Sequence, residues 1–255
     1  MTVALHHEVH GPADASVLLL GGSLGTTLAM WDGQTPLGQR LSTVRYEHRG
    51  HGRSPAPPGP YEIADLGRDA LALMDRLGLE RASYCGVSLG GMVGMWLGAY
   101  APERVERLIL ICTSAHMPPA SAWAERAALV RRTGGTKVIV DAVVVRWLTP
   151  AYAAAHPTVH QRLRSMLLAA PPEGYAACCD AIERMDLRGA LGRIAAPTLV
   201  ISGADDRAAP PDHQRRIAAA IPHARYEVVS PAAHLAPVEQ AGAVNALILD
   251  HLEAT

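Results

Sequence analysis

Short apolar runs alternate with segments whose apolar positions recur every three to four residues, and this alternation extends over most of the chain. "SVLLLGG" (16–22), "STVRYEH" (42–48), "RASYCGV" (81–87), "RLILICT" (107–113), "PTLVISG" (197–203) and "ARYEVVS" (224–230) are bounded by turn formers, which predicts buried strands. Between them "YEIADLGRDALALMDRLGL", "GGMVGMWLGAY", "DHQRRIAAAI" and "VNALILDHL" carry apolar residues at helical spacing. Strand and helix in turn, joined by short connections, predict an α/β fold in which a mostly parallel sheet is covered by helices on both faces.

Residues 115–195 break the alternation. "AWAERAALVRRTGG", "KVIVDAVVVRWLTP", "VHQRLRSMLLAA" and "EGYAACCDAIERM" read as successive helices separated by Pro or Gly. "VIVDAVVV" is β-branched enough to be a strand by propensity alone. The expectation is a helical lid, 115–195, inserted into a core formed by residues 1–114 and 196–255.

Against this frame "GVSLGG" (86–91) gains meaning, because it directly follows a predicted strand and opens a predicted helix. Glycines on either side of a serine permit a tight turn that projects the hydroxyl above the strand ends, and the new helix offers free N–H groups to a developing oxyanion. Ser88 is therefore the candidate nucleophile; the blander role is a serine that caps the helix. A serine nucleophile needs a base to take its proton and an acid to orient that base. Both occur downstream: "ISGADDRAAP" ends a predicted strand with Asp205 and Asp206, and "VVSPAAHLAPVE" carries His234 in the loop after the next strand. Of the two, Asp206 is the chosen acid, and Asp205 is left to cap or hydrogen-bond the loop. Of the 12 histidines, His6, His7 and His10 cluster near the start and read as a solvated face rather than a metal site. For the oxyanion, the N–H of Leu89 needs a second donor, and "LLGGSLGTT" supplies Leu24, with Ser23 as the competing assignment.

Composition narrows the partners. With 255 residues, 49% of them hydrophobic and 18% charged, the chain has material for one sizeable domain with an insertion. A formal net charge of -1 gives no basic patch for nucleic acid and no polybasic segment for a membrane, leaving a small ligand as the expected partner. No segment approaches the roughly 20 apolar residues of a membrane span, and the first residues lack the pattern of a secretory leader, so a cytoplasmic location is expected. Cys85, Cys112, Cys178 and Cys179 have no metal-ligand spacing and read as free buried thiols. The chain has no phenylalanine, and only one lysine and one asparagine.

Taken together, "GVSLGGMVGMWLGAYAPERVERLILICTSAHMPP", "RWLTPAYAAAHP", "PPEGYAACCDAIERMDLR" and "GADDRAAPP" resemble the 3-oxoadipate enol-lactonases, a branch of the α/β-hydrolases, over nearly the whole chain. "GGSLGT" stands where that family has "NSLGT", Leu148 where it has Phe, and Pro237 where it usually has a polar residue. The resemblance implies ring-opening hydrolysis of 3-oxoadipate enol-lactone, in the β-ketoadipate pathway of aromatic catabolism, without metal or organic cofactor. It further implies a site for the carboxylate that this lactone carries, for which Arg146 and Trp147 are the first candidates. "EHRGHGRS" (47–54) resembles a turn that walls the site in many α/β-hydrolases; a solvated glycine-rich turn is the other reading. A general carboxylesterase, a cofactor-free perhydrolase and a non-catalytic ligand-binding relative are the alternatives, and a homo-oligomer is left open.

Overall fold

The computed structural model describes residues 1–254. Seven strands form one sheet in the order β1-β3-β2-β4-β5-β6-β7. They are β1 (His7–His10), β2 (Val17–Gly21), β3 (Ser42–Tyr46), β4 (Ala82–Val87), β5 (Val105–Ile111), β6 (Thr198–Gly203) and β7 (Arg225–Val229). Only β1 runs antiparallel, pairing with β3; the other five pairings are parallel. Every residue of β4 and β6 is buried, as strands covered on both faces must be, and this explains why both read as unbroken apolar runs. The edge strands β1 and β7 keep several side chains partly or fully exposed.

The six parallel strands match the six predicted runs to within two residues at either end. Strand β1 was not expected: "HEVH" alternates without an apolar face, and its register is held instead by pairing with β3. Its Glu8 meets Arg45 of β3 at 2.8 Å. The histidines assigned to a solvated face thus include two, His7 and His10, that belong to an edge strand.

Helix α1 (Ile63–Arg76) illustrates how local sequence sets an element. Glu62 and Asp65 form a capping box, the helix buries Ile63, Leu66, Ala70, Leu73 and Met74 along one stripe, and Gly78 follows with φ +68°. Helix α2 (Leu89–Tyr100) is buried along most of its length and packs against β2, β4 and β5. Between β5 and β6 come five helices: α3 (Ala120–Thr133), α4 (Val140–Val144), α5 (Pro150–Ala155), α6 (Pro157–Leu168) and α7 (Pro172–Arg184). The β-branched run "VIVDAVVV" has no strand partner; it forms a short 3-10 turn and then α4, which buries Val140, Val143 and Val144. After β6 follow α8 (Pro211–Ala220), α9 (Ala236–Glu239) and α10 (Ala241–Glu253). A 3-10 segment at Leu28–Gln39, also unforeseen, buries Met30 and Trp31 beneath the loop that leaves β2.

Trp, Tyr, Leu, Met, Ile and Val fill the core in the absence of Phe. Tyr46 and Tyr84 are both buried with their hydroxyls 2.7 Å apart, and Tyr84 donates onward to the carbonyl of Gly90 at 3.0 Å. All four cysteines are free and buried. Among the described residues, no helix is long and apolar enough to cross a membrane.

Candidate active site

Ser88 occupies the turn between β4 and α2 with φ 55° and ψ −112°, a conformation that a non-glycine residue adopts only under constraint. The constraint is visible. Its N–H donates to Ile111 at 3.0 Å, while its carbonyl accepts from Met92 N–H at 3.0 Å and from the Thr113 hydroxyl at 2.7 Å. The flanking glycines are there for space: a Cβ on Gly86 would collide with the backbone of Gly90, and one on Gly90 with the carbonyl of Gly21. The side chain does not cap the helix, which disposes of the bland role for the serine.

His234 lies in the loop after β7, and its Nδ1 donates to Asp206, 2.9 Å from Oδ2 and 3.1 Å from Oδ1. Both residues are buried. Asp206 is oriented in turn by the N–H groups of Ala208 (2.8 Å) and Ala209 (2.9 Å), which donate to its Oδ1. An acceptor on Nδ1 leaves Nε2 as the basic nitrogen of the neutral ring. Asp205 is exposed and its N–H donates to the carbonyl of Ala232, a role in shaping the loop.

Ser88, His234, Ser23, Leu24, Arg146 and Trp147 all line one cavity of about 50 Å³. Thus Ser88 and His234 come together with the residues of the "LLGGSLGTT" loop and with both lid candidates. Arg126 and Tyr175, from α3 and α7, complete its polar lining; neither was singled out in the sequence, since a lone arginine or tyrosine on an amphipathic helix gives no signal. A larger cavity of about 540 Å³ lies alongside and contains neither Ser88 nor His234; Arg146 is common to both.

The loop carrying Ser23 and Leu24 is fixed from two sides. Gly90 N–H donates to the carbonyl of Gly22 at 3.0 Å, joining this loop directly to the Ser88 turn. From the other side comes "EHRGHGRS", whose His48, Arg49 and His51 are buried rather than solvated. His48 Nε2 donates to the Gly22 carbonyl at 3.1 Å, and Gly25 N–H donates to His51 Nε2 at 2.8 Å. Because His51 accepts at Nε2, its proton sits on Nδ1, facing the Arg49 carbonyl at 3.2 Å. Burial pushes His51 down to about 4, and burial together with the neighbouring His51 pushes His48 down to about 3, so both rings are neutral at pH 7. Arg49 is itself locked by a buried pair with Asp69 at 2.6 Å. Within the loop, Ser23 N–H already donates to the Met30 sulfur at 3.2 Å.

The sheet order, the serine turn and the His234–Asp206 pair are features of one enzyme class, and the family profile of the alpha/beta hydrolase fold matches residues 15–173 and 162–241. The chain belongs to the alpha/beta hydrolase fold family and is a hydrolase. Among its relatives is 3-oxoadipate enol-lactonase 2 of Acinetobacter baylyi, 40% identical over 244 residues that cover 95% of this chain and 91% of that one. The crystal structure of the enol-lactonase from Burkholderia xenovorans LB400 superimposes with a TM-score of 0.96 at 40% identity, covering 99% of this chain and 97% of that chain. A thermophilic esterase from Thermogutta terrifontis aligns with a TM-score of 0.92 at 30% identity over 98% and 93% of the two chains.

Proposed function

We propose that the chain hydrolyses 3-oxoadipate enol-lactone to 3-oxoadipate through an acyl-enzyme, with Ser88, His234 and Asp206 as a catalytic triad. The observation that carries this reading is the pairing of a constrained Ser88 with a buried, Asp206-bound His234 in one cavity, in a chain so similar to enol-lactonases. In this reading residues 115–195 act as the lid over the core formed by 1–114 and 196–255.

Ser88 Oγ attacks the ring carbonyl while His234 Nε2 takes its proton, and Asp206 stabilises the imidazolium so formed. The N–H groups of Leu89 and Leu24 face the developing oxyanion. Leu89 begins α2, so its N–H has no intrahelical acceptor. Leu24 is preferred to Ser23, whose N–H already has the Met30 sulfur as acceptor. When the tetrahedral intermediate collapses, the ring C–O bond breaks and the enolate departs, taking the proton from His234 and ketonising. That leaving group is good, which makes ring opening effectively irreversible. Water, deprotonated by His234, then attacks the acyl carbon, and release of the carboxylate returns the proton to Ser88. The chemistry requires no metal or organic cofactor. A role in aromatic catabolism follows from this substrate, and a small lactone is the partner of the site.

The test is the rate of loss of the enol-lactone, generated in the cuvette from muconolactone, with native protein and with Ser88→Ala. Rapid loss that the substitution abolishes supports the reading. A spontaneous rate only, from a protein whose Ser88 still reacts with a fluorophosphonate, overturns the substrate and leaves the general esterase that the 30% identical esterase suggests.

A further inference from the structure

Away from Ser88, a groove of about 390 Å³ opens between the loop after β5, the 3-10 segment Arg188–Arg193 and α8. It contains neither Ser88 nor His234, and its volume falls in the range of small-ligand sites. Its floor is apolar, built from Ala115, Leu191 and Ile217, all buried. Around that floor stand His116, Arg188, His213 and Arg216, and no Asp or Glu lines the groove. Acidic and basic residues are nearly balanced over the whole chain, 24 against 23, so a lining with two arginines, two histidines and no acid is a local feature rather than the general background.

The polar groups of this groove are largely uncommitted. Arg216 is exposed and, among the described residues, pairs with no carboxylate, whereas the adjacent Arg215 pairs with Asp212. Arg188 gives Nε and one terminal nitrogen to Asp186, which leaves its other terminal nitrogen to donate. His213 is half-buried, and its Nδ1 is buried without a hydrogen-bond partner. Buried ring nitrogens are ordinarily paired, so this one calls for a component beyond the chain itself. Burial first, then the charge of Arg216 and more weakly His116, lowers the pKa of His213 against the opposing pull of Asp206 and Asp212. The groove therefore carries a positive potential that a bound anion would relieve.

We propose that this groove is a second ligand site, one that binds a small organic carboxylate with its charged end among Arg216, Arg188 and His213 and its apolar body on Ala115, Leu191 and Ile217. Both halves of that ligand are needed: an inorganic anion leaves the apolar floor wet, and a neutral apolar molecule leaves Arg216 unpaired. The site stands independently of the reaction at Ser88. It lies close behind the catalytic loops, because Gln214, next to His213, donates to the carbonyls of Thr113 at 2.6 Å and Ala209 at 3.1 Å.

Titration of the 15N-labelled full-length protein with benzoate tests this, read by amide chemical shifts. Saturable shifts are expected at residues 115–118, 188–191 and 213–220, with benzamide and inorganic phosphate giving none there at the same concentration. Arg216→Glu should weaken benzoate about tenfold, since it removes an attraction and adds a repulsion. Ala220→Trp, which fills the groove without changing its charge, should weaken it by a similar factor. Both positions are exposed, so both variants should keep the native melting temperature. The site is overturned by benzoate shifts that leave these residues untouched, by an affinity that neither substitution changes, or by phosphate binding as well as benzoate.

Discussion

Glu239 accepts two hydrogen bonds from Thr149, 3.0 Å from its N–H and 2.7 Å from its hydroxyl, while its other oxygen accepts from Ala233 N–H at 2.6 Å. Thr149 is the N-cap of α5, among the helices between β5 and β6, and Ala233 precedes His234. One buried carboxylate thus holds the histidine loop against the start of α5, beside the Leu235-to-Trp147 hydrogen bond.

Glu239→Gln keeps the shape but turns an N–H donor toward one of these amides. With one buried N–H left unpaired, stability should fall by roughly 1–3 kcal/mol. Chemical denaturation measures that loss, and kcat should fall with KM for small esters little changed, because the histidine moves rather than the substrate pocket. Native kcat with native stability would show that the clamp is dispensable.

Asp206→Asn should lower kcat by about 10⁴-fold at pH 7. The amide donates where the carboxylate accepted, so the His234 ring is driven to the tautomer whose Nε2 cannot take a proton from Ser88. Ester hydrolysis checks this, with an intact thermal transition showing that the fold survives.

His48 and His51 give the fold an acid limit. Both are buried and neutral, with folded pKa values depressed below the usual 6.5 to about 3 and about 4. The unfolded chain therefore binds more protons between about pH 6.5 and pH 4, and stability is complete above about 6.5 and lost as pH falls, by about 1.4 kcal/mol per pH unit per histidine. His213 and His251, also lowered by burial, act in the same direction. Melting temperatures from pH 8 to pH 4 should decline through this window, with a shallower slope in His51→Gln. A flat profile to pH 4.5 would mean that these rings are not buried and neutral as described.

Gly90→Ala should damage activity before it damages the fold. Its methyl group would press on the Gly21 carbonyl and stretch the Gly90-to-Gly22 hydrogen bond, separating the Ser88 turn from the loop of Leu24. Overpacking of this kind costs about 1–3 kcal/mol. Fluorophosphonate labelling of Ser88 should slow by more than the shift in melting temperature accounts for, since misplaced donors raise the barrier directly.

The sheet was legible because its inner strands, β4 and β6 above all, are covered on both faces and so appear as continuous apolar runs, and the turns at the carboxyl ends of the strands carry Ser88, Asp206 and His234. Strand β1 escaped because an edge strand of "HEVH" needs no apolar face once β3 supplies its hydrogen bonds. Supporting residues were harder. His51 meets Gly25 across 26 positions and Glu239 meets Thr149 across 90, and no local pattern announces a contact that only the folded topology creates. Arg126 and Tyr175 were hidden for the same reason, on helices whose periodicity accounts for them equally well as surface and core.

The Gly90-to-Gly22 hydrogen bond has a wider consequence. The geometry of the Ser88 turn is set by main-chain links among residues 22, 88, 90, 92 and 111, and these are indifferent to most side-chain changes. The walls of the cavity, by contrast, are largely side chains borne by the helices between β5 and β6, among them Trp123, Arg126, Val143 and Tyr175. On the proposed reading, substitutions there change which molecules are admitted while the Ser88 turn keeps its geometry. A descendant of this chain could thus acquire a new diet by altering a handful of codons between 120 and 180, without passing through an inactive ancestor.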